Sequence, residues 1–247
     1  MLLRFGNRNG CGVGRSHRRV DPRAAGSLVG LVALLPGAAL AADTSEDVFE
    51  LDSLSVRITE ALPYIEMPHG DERIPVLRYQ DPSHRIEAPF DRTNRPCPPY
   101  CVQPMRIAPG VETIGELEVL GYMRRIAAGD SDLLLIDSRT ADWVARGTIP
   151  GAINIPYHRL DPAHASAEAI AELLQLEFGA ASADGLWNFE GAKTLVLFCN
   201  GAWCGQSPTN IKALLSFGYP ADRIKWYRGG MQAWETLGLT TVKPARD

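Results

Sequence analysis

The sequence predicts an α/β protein: a parallel sheet covered by helices on both faces, preceded by a Pro-rich arm with a few β-strands. Three observations carry this. Short, wholly apolar runs, Leu133-Leu134-Leu135-Ile136 and Leu195-Val196-Leu197-Phe198, are of the kind buried on both sides. Between and after them lie stretches of helical periodicity. From residue 43 to 112, by contrast, ten prolines forbid any sustained helix.

Taken in order, the chain opens with a basic leader. Arg15, Arg18, Arg19 and Arg23 precede the apolar segment Leu28 to Leu35, and Ala39-Leu40-Ala41 offers a small-x-small cleavage pattern. Residues 1–41 therefore read as a secretory signal, and the protein is expected to be exported and periplasmic. An uncleaved anchor is the competing reading. The full chain of 247 residues has a net charge of −4; without the six Arg and one Asp of residues 1–41 the balance is 19 basic against 28 acidic side chains, a formal −9. A surface of that sign is unsuited to nucleic acid or anionic membrane, and an anionic substrate needs a local cationic pocket.

In the extension, residues 42–112, Val48 to Ile58 alternates partly and predicts a strand. Tyr64 to Met67 and Ile74 to Tyr79 flank Pro68-His69-Gly70-Asp71 and predict a hairpin. The domain proper is placed at residues 113–243. There the pattern predicts a helix from Ile114 to Ala127, a strand at Leu133 to Ile136, a short helix from Asp142 to Ala145, a small strand at Ile153 to Ile155 and a helix from Glu168 to Phe178. A strand at Leu195 to Phe198, a helix from Thr209 to Phe217 with Ser207 as N-cap and Pro208 at its first position, a strand at Ile224 to Tyr227 and a helix from Met231 to Leu237 follow. Strand–helix alternation implies parallel pairing.

Chemistry is expected where the second apolar strand ends. Cys199 stands at the strand tip, before the Gly-rich turn Asn200-Gly201-Ala202-Trp203-Cys204-Gly205-Gln206 and Ser207. Inward-pointing amides and the following helix N-terminus favour a thiolate there, and a thiolate so placed can carry sulfur or exchange disulfides. Asn200, Gly201, Ala202, Trp203, Gly205, Gln206 and Ser207 are the expected substrate-binding positions. Trp203 has three readings: a shield for the sulfur against water, a grip on an apolar acceptor, or a plain packing residue.

Three segments together resemble the rhodanese-like domain family. Asp137-Ser138-Arg139 with Gly147-Thr148-Ile149-Pro150-Gly151-Ala152-Ile153-Asn154-Ile155-Pro156 is similar to its opening signature. Tyr227-Arg228-Gly229-Gly230-Met231-Gln232-Ala233-Trp234, with Leu237-Gly238-Leu239, is similar to its closing one, and Cys199 lies between them. The resemblance implies a five-stranded parallel sheet and an active-site loop at its carboxyl edge. It also implies sulfurtransferase activity, in which the loop cysteine takes sulfur from a thiosulfate-like donor, becomes a persulfide and passes the sulfur to cyanide or a thiol. By position that cysteine is Cys199.

The loop departs from the family pattern. It is enlarged, Cys204 occupies the fifth position after Cys199, Ser207 comes two residues late, and residues 200–206 contain no Lys or Arg. A cation from elsewhere is expected. Arg228 and Arg139 both follow strands that end at the same sheet edge; Arg228 is the favoured substitute, and Arg139 fits a structural ion pair, for instance with Asp142. Cys204 has three readings: a resolving thiol, half of a permanent bridge, or an inert buried residue. Cys97 and Cys101, in Arg95-Pro96-Cys97-Pro98-Pro99-Tyr100-Cys101, are expected to form a local disulfide, with a cross-bridge to the Cys199 loop as the alternative. Four cysteines could also hold zinc, but their spacings are not the usual ones. The five histidines lack ligand spacing and Cys-x-x-Cys-His is absent, so no metal or cofactor is called for.

The expected partners are a small sulfur-containing anion or a protein thiol, and a redox partner protein. Two further functions stay open at this point: a thiol–disulfide redox or sensor protein using Cys199 and Cys204, and a non-catalytic binding module.

Overall fold

The computed structural model describes residues 51–183 and 185–243. The signal-like segment 1–41, and the first residues of the strand expected at Val48 to Ile58, lie outside the described residues. From 51 onward that stretch is a 3-10 turn, Leu51–Ser53, followed by irregular chain.

The extension contributes one hairpin, β1 (Ile65–His69) antiparallel to β2 (Glu72–Val76), turning at Gly70-Asp71. Gly70 has φ 59°, which suits a residue without a Cβ. The sheet then assembles from β3 (Glu112–Ile114), β4 (Leu133–Asp137), β5 (Ile153–Asn154), β8 (Thr194–Phe198) and β9 (Ile224–Tyr227), all parallel, in the order β3-β9-β8-β4-β5. This is the α/β architecture and the five-stranded parallel sheet that were expected.

The helices are α1 (Glu116–Ala127), α2 (Ala141–Val144), α3 (Ala167–Glu172), α4 (Gln206–Ser216) and α5 (Gly230–Thr236). Alternation along the strands divides the core in two. Leu135, Val196, Phe198 and Tyr227 face α1, α5 and the extension, which adds Ile65, Met67, Val76 and Phe90 to that core. Ile136, Leu195, Leu197 and Trp226 face the other way, toward Ile170, Leu173, Ile211 and Leu214 on the α3 and α4 side. The extension thus supplies part of one cover layer.

Four elements differ from expectation. The helix expected from Ile114 begins at Glu116, because Glu112–Ile114 pairs with β9 and Glu118 caps the Gly115 N–H at 3.0 Å. The helix expected over Glu168 to Phe178 gives way to a π-turn at Leu173–Glu177. A small exposed hairpin, β6 (Ala181–Ala183) with β7 (Leu186–Asn188), had no alternation long enough to reveal it. Finally, the N-cap of α4 falls two residues earlier than expected: Gly205 takes that place, and Ser207 and Pro208 lie inside the first turn. Proline is tolerated there because its missing N–H would have no helical partner.

Candidate active site

Parallel registration sets the site. Asp137, Phe198 and Tyr227 end their strands side by side, so Arg139, Cys199 and Arg228 emerge at one sheet edge, where open α/β sheets place ligands.

The loop after β8 is anchored through its carbonyls. Cys199 O accepts from Met231 N and Asn200 O from Gln232 N, both at 3.0 Å, in the first turn of α5. Gly201 O accepts from Cys204 N at 2.9 Å and Ala202 O from Gln103 N at 2.8 Å. With these carbonyls engaged, the amides of Gly201 and Ser207 favour the Cys199 thiolate. The close fit of α5 needs glycine at 230: φ is 54°, and a Cβ would stand 2.8 Å from Gly201 N.

Cys199 is 2% exposed. Burial by itself raises a thiol's pKa and is the largest influence. The Cys204 thiol, the Ser207 hydroxyl donating at 3.1 Å, and the Ser207 and Gly201 amides together outweigh it and lower Cys199 from 9.0 to about 7. A group with that value is roughly half thiolate at neutral pH. Cys204 moves the opposite way, well above 9.0, through burial and through holding its proton toward Cys199. Among the described residues the two free cysteines, Cys199 and Cys204, form one asymmetric pair in which Cys199 gives up its proton first.

Ser207, expected as a cap, is instead a buried relay. Its oxygen accepts from Trp226 Nε1 at 3.1 Å and turns its own proton to Cys199. Arg139 is fully buried. It pairs with Asp137 at 2.6 Å rather than with Asp142, and its Nη1 reaches Asn200 Oδ1 at 3.3 Å. Thr148 Oγ1 donates to the same carboxylate at 2.7 Å. The opening signature therefore holds the loop base and offers no free charge. Arg228 is likewise engaged: its guanidinium donates to the carbonyls of Gln103 and Pro104, at 2.8 Å for the shorter Gln103 contact.

A cavity of about 320 Å³ opens beside the loop, lined by Asn200, Trp203, Cys204, Gly205, Gln206 and Thr209, with Trp143 and Tyr157 opposite and Pro99 and Tyr100 from the extension. Of the two thiols, Cys204 is the one on its wall. Trp203 is fixed by its Nε1 donating to Gln232 Oε1 at 2.7 Å and by an edge contact with Tyr100. Trp143, Tyr157, Pro99 and Tyr100 were not anticipated. Only a cluster of aromatics in segments distant along the chain could have hinted at them.

The model of the rhodanese-like domain family matches residues 122–237. Residues 122–237 are a rhodanese-like domain. The match includes the opening signature, the Cys199 loop and the closing signature as far as Leu237. Among curated proteins, an HTH-type transcriptional regulator of Mycobacterium tuberculosis is 32% identical over 117 residues, which are 47% of this chain and 40% of the regulator; the chain thus spans well under half of that relative. Among solved structures, the human single-domain sulfurtransferase is 25% identical, with a TM-score of 0.33 over 50% of this chain and 95% of that one. The polysulfide-sulfur transferase homodimer of Wolinella succinogenes is 20% identical, with a TM-score of 0.34 over 57% of this chain and 84% of that one.

Cys97 and Cys101 of the extension are joined as a disulfide in the structure, with Cα atoms 4.6 Å apart, and Cys199 and Cys204 are left to each other. Among the described residues, no group of three or more His, Cys, Asp or Glu is placed to hold a metal ion, and no helix is long and apolar enough to cross a membrane.

Proposed function

We propose that this rhodanese-like protein is an exported sulfurtransferase that carries sulfane sulfur as a persulfide on Cys199. The observation that carries the reading is the placement of the Cys199 sulfur, buried at a strand tip with the Ser207 hydroxyl donating to it at 3.1 Å, in surroundings that lower the thiol's pKa to about 7. The Cys199 thiolate attacks the outer sulfur of a thiosulfate-like donor. A sulfur–sulfur bond forms at Cys199, the donor's own sulfur–sulfur bond breaks, and sulfite leaves with the electron pair. Cyanide or an acceptor thiol then attacks the outer sulfur, and the Cys199 thiolate is the leaving group. The cavity meets Cys204, and Cys199 lies buried behind it. Export is supported by the leader pattern of residues 1–41 and suits a disulfide between Cys97 and Cys101.

Reduced protein incubated with thiosulfate should gain one sulfur atom by intact mass, lose it to cyanide as thiocyanate, and do neither after Cys199→Ser. Absence of both adduct and thiocyanate in the wild-type protein would reject the reading.

A second reading is favoured by the close approach of the two cysteines, where the Cys199 thiol donates to the Cys204 carbonyl at 3.4 Å. Cys204, once deprotonated, attacks the inner sulfur of a Cys199 persulfide, hydrosulfide leaves, and a Cys199–Cys204 disulfide remains. The same pair can then exchange disulfides with a partner protein's thiols. Peptide mapping after a single turnover without acceptor separates the two: a Cys199–Cys204 bond supports this reading, and a persistent persulfide supports the first.

A further inference from the structure

The cations near the Cys199 loop can be accounted for one by one. Residues 200–206 contain none. Arg139 is fully buried and neutralised by Asp137. Arg228 is committed to the Gln103 and Pro104 carbonyls. Arg146 lies 5.6 Å from the centre of the Trp143 ring and is exposed. Arg95 differs from all of these. Its guanidinium carbon sits 3.8 Å from the centre of the Trp203 ring, 5.7 Å from that of Tyr100 and 6.0 Å from that of Trp143. These three rings are walls of the cavity that meets Cys204. Stacking fixes the plane of the group without using its N–H donors. One of those donors, on Nη2, goes to the Pro89 carbonyl at 2.7 Å, while Nε–H is buried without a partner.

The segment that carries Arg95 is tied to the loop by a main-chain hydrogen bond and braced within itself. Gln103 N donates to Ala202 O, Tyr100 N donates to Pro96 O at 3.0 Å, and the Cys97–Cys101 disulfide closes the turn that presents Pro99 and Tyr100 to the cavity. The extension thus forms one side of the pocket.

We propose that Arg95, delivered by the Pro-rich extension, is the anion-binding group of this site, supplying the charge that the loop lacks and selecting a small sulfur-bearing anion whose apolar part lies against the Trp143, Tyr100 and Trp203 rings. The choice of a sulfur anion rests on the sulfurtransferase reading. The selection of anions at the thiol pair does not.

The test uses the full chain after reduction of the loop thiols, with two alkylating probes of similar size and opposite charge class, anionic iodoacetate and neutral iodoacetamide. The ratio of their rates at Cys199 and Cys204 is measured in wild-type, Arg95→Gln and Arg95→Lys protein. Loss of one nearby positive charge should lower the iodoacetate-to-iodoacetamide ratio about ten-fold in Arg95→Gln, and Arg95→Lys should restore most of it. The ratio is taken within each protein, so a general loosening of the loop, which speeds both probes, leaves it unmoved. An unchanged ratio in Arg95→Gln overturns the proposal. If thiosulfate gives no persulfide in the wild-type protein but the ratio still falls with Arg95→Gln, the sulfur-transfer reading fails and the anion site stands.

Discussion

At the scale of single residues, reactivity is set by who donates to the Cys199 sulfur. Ser207 has two duties at one oxygen: it donates to the thiolate and accepts from the buried Trp226 indole. Ser207→Ala removes both. The pH midpoint for alkylation of Cys199 is expected to move from about 7 up toward the ordinary thiol value, read from rates against pH with a neutral probe. The same variant leaves a buried indole N–H unpaired, which costs about 1–3 kcal/mol in denaturant unfolding. An unmoved midpoint would show that Cys204 and the amides alone hold the anion. Ser207 also shows how residue identity can be legible while its role is not. Ser followed by Pro and a helical run reads as an N-cap, yet the tertiary approach of Trp226 and Cys199 pulls the residue into the first turn and buries it.

At the scale of elements, the hairpin β1–β2 belongs to the packing of the domain. Met67 is fully buried among α1, α5 and sheet residues, and it also fills the space that a side chain at Gly151 would need. The opening signature's Pro150-Gly151 turn is therefore shaped partly by the extension, which Gly151 N reinforces by donating to His69 Nδ1 at 3.1 Å. Met67→Ala is expected to destabilise the whole domain by about 2–5 kcal/mol, measured by urea unfolding, with a single transition. A loss confined to the extension, with the sheet unfolding at its wild-type midpoint, would contradict this coupling. The long elements were readable because each buries a face with a clear period: β4, β8, β9 and α1 were all found within a few residues. Glu112–Ile114, Ala181–Ala183 and Leu186–Asn188 were not, since three residues carry no period and their strand state exists only through their partners.

For the molecule as a whole, the buried charges predict a pH response away from the thiols. Glu235 in α5 is 5% exposed, and burial above all, then Glu87, raises its pKa from 4.5 to about 7, against weaker pulls from Arg139 and Lys243. The folded state thus keeps a proton that the unfolded chain releases. That contribution is complete below pH 4.5 and is lost as pH rises to about 7. Glu235→Gln cannot lose it, so its melting temperature should gain on the wild type between pH 5 and pH 8 and hold a constant offset above. A pH-independent difference would show that Glu235 is already ionised in the folded protein at pH 5.

Readable from the residues alone is whatever depends on neighbours along the chain. That includes the alternation of apolar strands and amphipathic helices, the hairpin signal around Gly70, the two signature segments and the thiol at a strand tip. These follow from backbone sterics and side-chain period, which act over a few residues. Tertiary structure alone decided which thiol faces the cavity, which hydroxyl feeds the Cys199 anion and where each arginine spends its charge. Arg139 and Arg228 stand beside the site in sequence logic, but Asp137 neutralises the first and main-chain carbonyls hold N–H donors of the second. Arg95, more than a hundred residues before the loop, arrives at Trp203 only because the extension folds back along the sheet edge. Charge acts through space, and its partners are fixed only when the chain has closed.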